Sequence, residues 1–321
     1  KLSCSLFCLI TFLRPKQHRN SNLHNQHQYR NRHQQNKHNP NYLSSAYFDP
    51  HKLYFSEDIN EIINYADYLI FAVPSAFVQA ELDKIKVSLA GKVFFSAIKG
   101  IVPETGLIVG EHFHEKMKVP FENIGVITGP CHAEEVAMER LSYLTIACQD
   151  EQKAEILAEK LAGRYIKTKI SDDIIGTEYA AMLKNIFAIA AGMAHGLGYG
   201  DNFQAVLMSN AIREMKRFIK KIHKMKRNIN NSAYLGDLLV TGYSVFSRNR
   251  MFGNMIGKGY TVKSAMFEMS MVAEGYYATK SAYLINQKND ADTPIIDTIY
   301  RILYENKDPK KEFNKLTDIL N

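Results

Sequence analysis

Residues 174–215 read IIGTEYAAMLKNIFAIAAGMAHGLGYGDNFQAVLMSNAIREM, and the fold is decided there. Ile175, Met182, Ile186, Ile189 and Met193 recur near the helical period, which predicts a long buried helix. Ala180, Ala181, Ala188, Ala190, Ala191 and Ala194 are small enough for neighbouring backbones to come close. The cluster Gly196–Gly200 interrupts the run. Lys184 stands near its middle, between Met182 and Ile186. A lysine there either extends its ammonium to the surface or is partly buried with a lowered pKa that suits acid–base chemistry.

Upstream of this helix the text alternates. YLIFAVPS (68–75), KVFFSAIKGI (92–101), NIGVITGP (123–130), SYLTIACQD (142–150) and RYIKTKISDD (164–173) read as strands. Between them lie DINEIINYAD (58–67), capped by Asp58, and the amphipathic AFVQAELDKIKVSLA (76–90). A helix starting near His132 and EQKAEILAEKLAG (151–163) complete the set. Strands alternating with helices predict an α/β fold, a parallel sheet of the Rossmann type. From about Ser171 the pattern is helical throughout. The expected division is therefore a basic segment at 1–37, a dinucleotide-type domain at 38–170 and an all-α domain at 171–321.

The net charge of +7 would suit nucleic acid, but all of it lies in residues 1–48, with seven Lys/Arg and no Asp or Glu. The rest of the chain is neutral, which argues against a nucleic-acid partner. Residues 14–41 are filled with Asn, Gln, His and Arg and show no periodicity, a composition that reads as disordered. The irregular spacing of His18, His24, His27, His33 and His38 fits no metal site. The apolar run LSCSLFCLITFL (2–13) is too short to span a bilayer and is followed by no small-residue cleavage site. Four unpaired-looking Cys suggest a reducing, cytoplasmic setting.

In an open parallel sheet, ligands bind beyond the carboxyl ends of the strands. Three such ends carry special residues: Pro74-Ser75, Lys99-Gly100 and Gly129-Pro130-Cys131-His132-Ala133. The last leads into a helix N-terminus, whose free N–H groups suit an anion. Cys131 there reads as a small pocket residue, since no acid follows His132 in a triad-like arrangement. In the helical half, YLGDLLVTGYSVFSRNRMFG (234–253) carries Asp237 and the run Ser247, Arg248, Asn249, Arg250, a phosphate-recognising combination. MVAEGYYATK (271–280) holds Glu274.

In this order, SAIKGI, ITGPCHAEEVA, the 174–202 helix, LGDLLVTGYSVFSRNRMFGNMIGKG and MVAEGYYATK closely resemble the bacterial-type NAD(P)-dependent glycerol-3-phosphate dehydrogenases. The resemblance runs from about His38 to the C-terminus. It implies hydride transfer between NAD(P)H and dihydroxyacetone phosphate, giving sn-glycerol 3-phosphate for glycerophospholipid synthesis. It implies that Lys184 is the general acid–base. Substrate contacts would be Lys99, Gly129, Cys131, Lys184, Asp237, Ser247, Arg248 and Asn249. Cofactor contacts would be Tyr42, Lys99, Ala133, Arg248, Val272 and Glu274. The family normally has Ser or Thr at the Cys131 position. A homodimer is compatible with the resemblance, and no membrane partner is implied.

One departure is large. The family opens with a strand and a GxGxxWGT-like loop that cradles the cofactor pyrophosphate, whereas the first glycine in this chain is Gly91. Residues 1–37 therefore read as an out-of-frame or degenerate counterpart of that unit. Two other readings follow from the same residues. One is a non-catalytic phosphate- or RNA-binding descendant. The other is a related hydroxyacid or 6-phosphogluconate-type dehydrogenase, against which SRNR and GYGDN argue. The NAD versus NADP choice is not legible, because the ribose-contacting residues belong to the departing stretch.

Overall fold

The computed structural model describes residues 7–10, 46–47, 49, 53–54, 56–269 and 273–321. Its first half is a six-stranded sheet in the order β1-β2-β3-β6-β7-β8. These are β1 (Phe7–Ile10), β2 (Tyr68–Phe71), β3 (Val93–Ser96), β6 (Ile124–Thr128), β7 (Ser142–Cys148) and β8 (Ile166–Ser171). β4 (Ile101–Val102) and β5 (Leu107–Ile108) form a separate antiparallel pair. β2, β3 and β6 are buried along their whole length, as strands covered on both faces must be. Leu69, Phe71, Phe94 and Phe113 build the core on one face, and Tyr68, Ile70, Phe95 and Ile146 that on the other. Asp58 caps α1 (Ile59–Tyr65) by accepting from the Asn60 amide, as its position in the sequence implies.

Three features differ from the sequence reading. Residues 1–37 read as lacking regular structure, yet Phe7–Ile10 pair in parallel with Tyr68–Phe71. Four successive apolar residues suffice for an edge strand, whatever the composition around them. The sheet is also not wholly parallel, because β6 and β7 run antiparallel. Only the five-residue helix α4 (Ala133–Ala137) lies between them, too little to carry the chain back across a sheet face. Finally, the helix expected over 76–90 is a 3₁₀ turn at Ser75–Phe77 followed by α2, Val78–Leu82 alone. Bonds from Lys84 N to Glu81 O and from Ile85 N to Leu82 O tighten its end, and β-branched Ile85 and Val87 do not prolong it.

The second half is helical and surrounds α6 (Ile174–Gly196), which is buried along nearly its whole length. It is long and apolar enough to cross a membrane, but it is the core of this domain. Burying each of its large side chains, among them Met182, Leu183, Ile186, Phe187 and Ile189, stabilises the fold by ~1.5–3 kcal/mol. Its glycines let α9 (Arg248–Gly257) cross at backbone contact. A Cβ on Gly192 would lie 2.0 Å from the Arg250 carbonyl oxygen, and one on Gly253 would lie 2.0 Å from that of Ile189. One turn further on, Gly196 faces Gly257 in the same way. α7 (Asp201–Ile222) follows and buries Leu207, Ala211, Met215 and Phe218 on one stripe. α11 (Glu274–Asn289), α12 (Pro294–Tyr304) and α13 (Pro309–Thr317) close the domain.

Candidate active site

Lys184 sits three turns into α6 and is 4% exposed. Its ammonium pairs with the carboxylate of Asp237, the first residue of α8 (Asp237–Tyr243), which is 1% exposed. Burial pushes the Lys184 ammonium down to about 7; the nearby Lys99 adds to the fall and Asp237 opposes it. At neutral pH the group is therefore poised to give or take a proton. Lys184 takes only Oδ1 of Asp237. Among the described residues no donor reaches Oδ2, although it is buried.

The loops after β3 and β6 meet this pair, and the loop after β2 packs beside the first of them at Gly100. After β3 comes Lys99, whose carbonyl oxygen accepts from Asn185 Nδ2 at 3.0 Å. Asn185 Oδ1 accepts from Asn249 Nδ2 at 3.0 Å, and Asn249 Oδ1 accepts from the Gly275 amide at 2.9 Å. One amide relay thus joins the sheet to α6, α9 and α11. After β6 comes Gly129 at φ +120°, where a Cβ would lie 2.6 Å from the Tyr143 carbonyl oxygen, so only glycine fits. Cys131 and His132 follow it, both half-buried. Burial pushes the Cys131 thiol up and the His132 imidazole down, and both feel Lys99, Lys184 and Asp237. A protonated thiol and a neutral imidazole line the cleft.

After β2 comes Ser75. Its amide donates to Glu274 Oε1 at 3.2 Å and its hydroxyl to Oε2 at 2.5 Å. Burial raises the Glu274 carboxyl, against the pull of the Ser75 bonds and of Arg248. Gly100 packs against both partners, with room for no Cβ: one would lie 2.7 Å from Ser75 Oγ. Ser247 caps α9 by accepting from the Arg250 amide at 3.3 Å. Arg248, in the first turn of that helix, is exposed and close enough to Glu274 to act on its carboxyl. Ala133 begins α4 beside the Cys131–His132 loop and is exposed.

The structure therefore brings Lys99, Lys184, Asp237 and Asn249 together with the Gly129–Cys131 loop, and it sets Glu274 against Ser75. Tyr42 and Val272 lie outside the described residues. One participant was not named from sequence: Asn185 follows Lys184 directly, but an amide on a buried helix carries no signal until its partners are seen. Ser75 was legible as the polar end of a strand, though not its bond to Glu274.

Comparison with known proteins bears directly on this site. Residues 8–154 match the family described as "NAD-dependent glycerol-3-phosphate dehydrogenase N-terminus", and residues 173–314 match the corresponding C-terminus. A curated relative, "Glycerol-3-phosphate dehydrogenase [NAD(P)+]" of Macrococcus caseolyticus, is 36% identical over 80% of this chain and 78% of its own length. This chain belongs to the glycerol-3-phosphate dehydrogenase family. A second relative of that name, from an Exiguobacterium strain, is 35% identical over 83% of this chain and 79% of its own. Among solved structures, glycerol-3-phosphate dehydrogenase from Coxiella burnetii superimposes with a TM-score of 0.82 at 27% identity, covering 90% of this chain and 88% of that one. The family match extends through both halves, and β6 and β7 lie within it.

The family implies a nicotinamide dinucleotide. At the reacting end the residues present fit one: the Lys99 and Gly129–Cys131 loops meet the buried Lys184–Asp237 pair, and Asp237 Oδ2 has no donor among the described residues. At the phosphate end no glycine precedes Gly91, so no residue of that stretch is assigned to holding it.

Proposed function

We propose that this chain interconverts dihydroxyacetone phosphate and sn-glycerol 3-phosphate with NAD(P)H. The observation that carries the reading is Lys184, buried against Asp237 at the strand ends with its ammonium near neutrality. The bound dinucleotide supplies or accepts the hydride. Lys184 supplies the other half of the chemistry, a proton to the ketone oxygen in reduction and its removal from the hydroxyl in oxidation. Asp237 Oδ1 aims the ammonium, and Oδ2 is free to accept from a substrate hydroxyl. Lys99, held through its carbonyl by Asn185, adds positive potential beside the same oxygen. Arg248, Asn249 and the N-terminus of α9 suit the phosphate. Ser75 and Glu274, bridging the two halves of the molecule, together with Ala133, suit the dinucleotide.

A second reading of the same phosphate-suited residues, Arg248 and Asn249 at the start of α9, is a phosphate-binding descendant without hydride transfer. The two separate in one experiment. The dehydrogenase reading expects NADH or NADPH oxidation on adding dihydroxyacetone phosphate, and much less with unphosphorylated dihydroxyacetone. The descendant binds the phosphorylated ketone but gives no nucleotide oxidation and no NADH binding. The free thiols of Cys131 and Cys148 and the largely buried apolar helix are compatible with a cytoplasmic enzyme, which a homodimer would also suit.

A further inference from the structure

Asp237 follows an unusual stretch of backbone. Residues Ser232–Gly236 form a π-helical turn that runs directly into α8. Such turns are rare and concentrate at functional sites, because one inserted residue re-aims the side chains that follow. On one side, Gly236 packs against Pro130 of the Gly129–Cys131 loop, a Cβ there lying 3.6 Å from Pro130 Cγ. On the other, Tyr234 is 5% exposed and its hydroxyl donates to Oδ2 of Asp173.

Asp173 is the N-cap of α6, the helix that carries Lys184. Its Oδ1 accepts from the Gly176 amide at 2.9 Å and from Arg227 Nη2 at 2.9 Å, and its Oδ2 accepts from Arg227 Nε. Arg227 is itself fixed by donating from Nη1 to the His223 carbonyl at 2.7 Å, and its Nη2 lies 2.7 Å from His223 Nδ1. Burial works to raise the Asp173 carboxyl, but the bonds from Arg227 and Tyr234 overcome it and hold the group below the usual carboxylate range. The knot has no space to spare: a Cβ on Gly176 would lie 2.1 Å from Asp173 Oδ2 and 2.3 Å from Arg227 Nε. A fully hydrogen-bonded, buried ionic cluster is costly to disturb and gives one geometry rather than several.

We propose that Asp173, Arg227 and Tyr234 form a positioning device that fixes the π-helical turn to the start of α6 and thereby sets Asp237 against Lys184. Lys184 and Asp237 are more than fifty residues apart in sequence, and they meet because α8 and the π-helical turn before it both pack on α6. Anchoring the turn to the cap of the helix that bears the lysine ties the position of Asp237 to that of Lys184. None of the three touches the reacting atoms. The inference deepens the proposed function and rests on it only for its consequence in turnover.

The test reads Lys184 itself. Its titration is followed in the protein without cofactor or substrate, by the pH dependence of competitive acetylation at Lys184, quantified by mass spectrometry. The charged and titratable groups facing Lys184 are Asp237, Lys99, Cys131 and His132; those facing Asp173 are Arg227, Tyr234 and His223. Asp237 is the one group that favours the protonated lysine, so a loosened Asp237 lowers the Lys184 titration. Tyr234→Phe is expected to lower it by ~0.5 unit or more, a part of the ~1–3 units that a partner charge is worth, and Asp237→Asn sets the full scale. Arg227→Lys, which keeps the charge but loses the fork, is expected to act in the same direction and serves if Tyr234→Phe does not fold. A purely structural cluster would lower the melting temperature and leave the Lys184 titration where it is in the wild type; a fall smaller than ~0.5 unit, well short of what a partner charge is worth, or an upward shift overturns the proposal. Because labelling needs no turnover, an inactive wild type with the expected shifts would fault the proposed reaction alone.

Discussion

Gly253→Ala puts a methyl group into the tightest contact between α6 and α9. Its Cβ would lie 2.0 Å from the Ile189 carbonyl oxygen and 2.9 Å from the Met193 amide nitrogen, both backbone atoms of a buried helix. Ordinary contact begins near 3.4 Å, so the helices must separate by about 1.4 Å along that line. Overpacking of this kind costs ~3 kcal/mol, because neither partner is a side chain that can swing away. Replacing a mid-helix glycine returns ~1 kcal/mol of helix propensity. The clash wins by ~2 kcal/mol, a fall in melting temperature of ~3 °C for a chain of 321 residues. The same separation pulls Asn249 from Asn185, which now meet at 3.0 Å, and shifts Arg248 with it. Displacement of about 1 Å at a binding residue costs on the order of 10²-fold in rate. Thermal melts and kcat/KM with dihydroxyacetone phosphate measure both effects. An unchanged melting temperature with unchanged kinetics would refute the claim that this glycine contact sets the site.

Other substitutions separate phosphate binding from buried charge. Arg248→Ala should raise the KM for dihydroxyacetone phosphate by ~10–100-fold, the worth of a charge-assisted bond to phosphate, and leave unphosphorylated dihydroxyacetone almost untouched; equal losses on both would remove the phosphate assignment. Glu178 is fully buried on α6, where its Oε2 accepts from the Gly110 amide at 2.9 Å, and burial pushes its carboxyl up to about 8. A carboxyl raised in the folded state contributes stability that is complete below its unfolded pKa of 4.5 and is lost as pH rises through 8. Glu178→Gln should therefore gain stability relative to wild type as pH rises from 5 to 8, roughly the window between those two values; melts that stay parallel across that window would count against it.

The helical half was legible because α6 writes its role in residue sizes: large apolar residues at the helical period, alanine and glycine where other backbones cross. The β6–β7 pairing was not, because direction depends on how a thirteen-residue connection folds, and only the five residues Ala133–Ala137 of it become helix. Phe7–Ile10 escaped notice for a different reason: composition over the first 37 residues outweighed four apolar residues whose partner, β2, lies far along the chain. In the site, charged side chains in an apolar setting were visible in the sequence, as with Lys184 and Glu274. Asn185, Tyr234 and Arg227 were not, since their meaning lies wholly in what they bond to.

The most direct test is the pH dependence of kcat/KM in both reaction directions. Reduction needs the Lys184 ammonium and oxidation needs the neutral amine, so reduction should fall and oxidation should rise through about pH 7. Ionisation of the substrate phosphate acts alike in both directions and cannot produce this opposition. Crossing profiles that lose their crossing in Lys184→Ala, with NADH binding retained, are what the account predicts. Profiles that move together, or an Ala variant with unimpaired turnover, would contradict it.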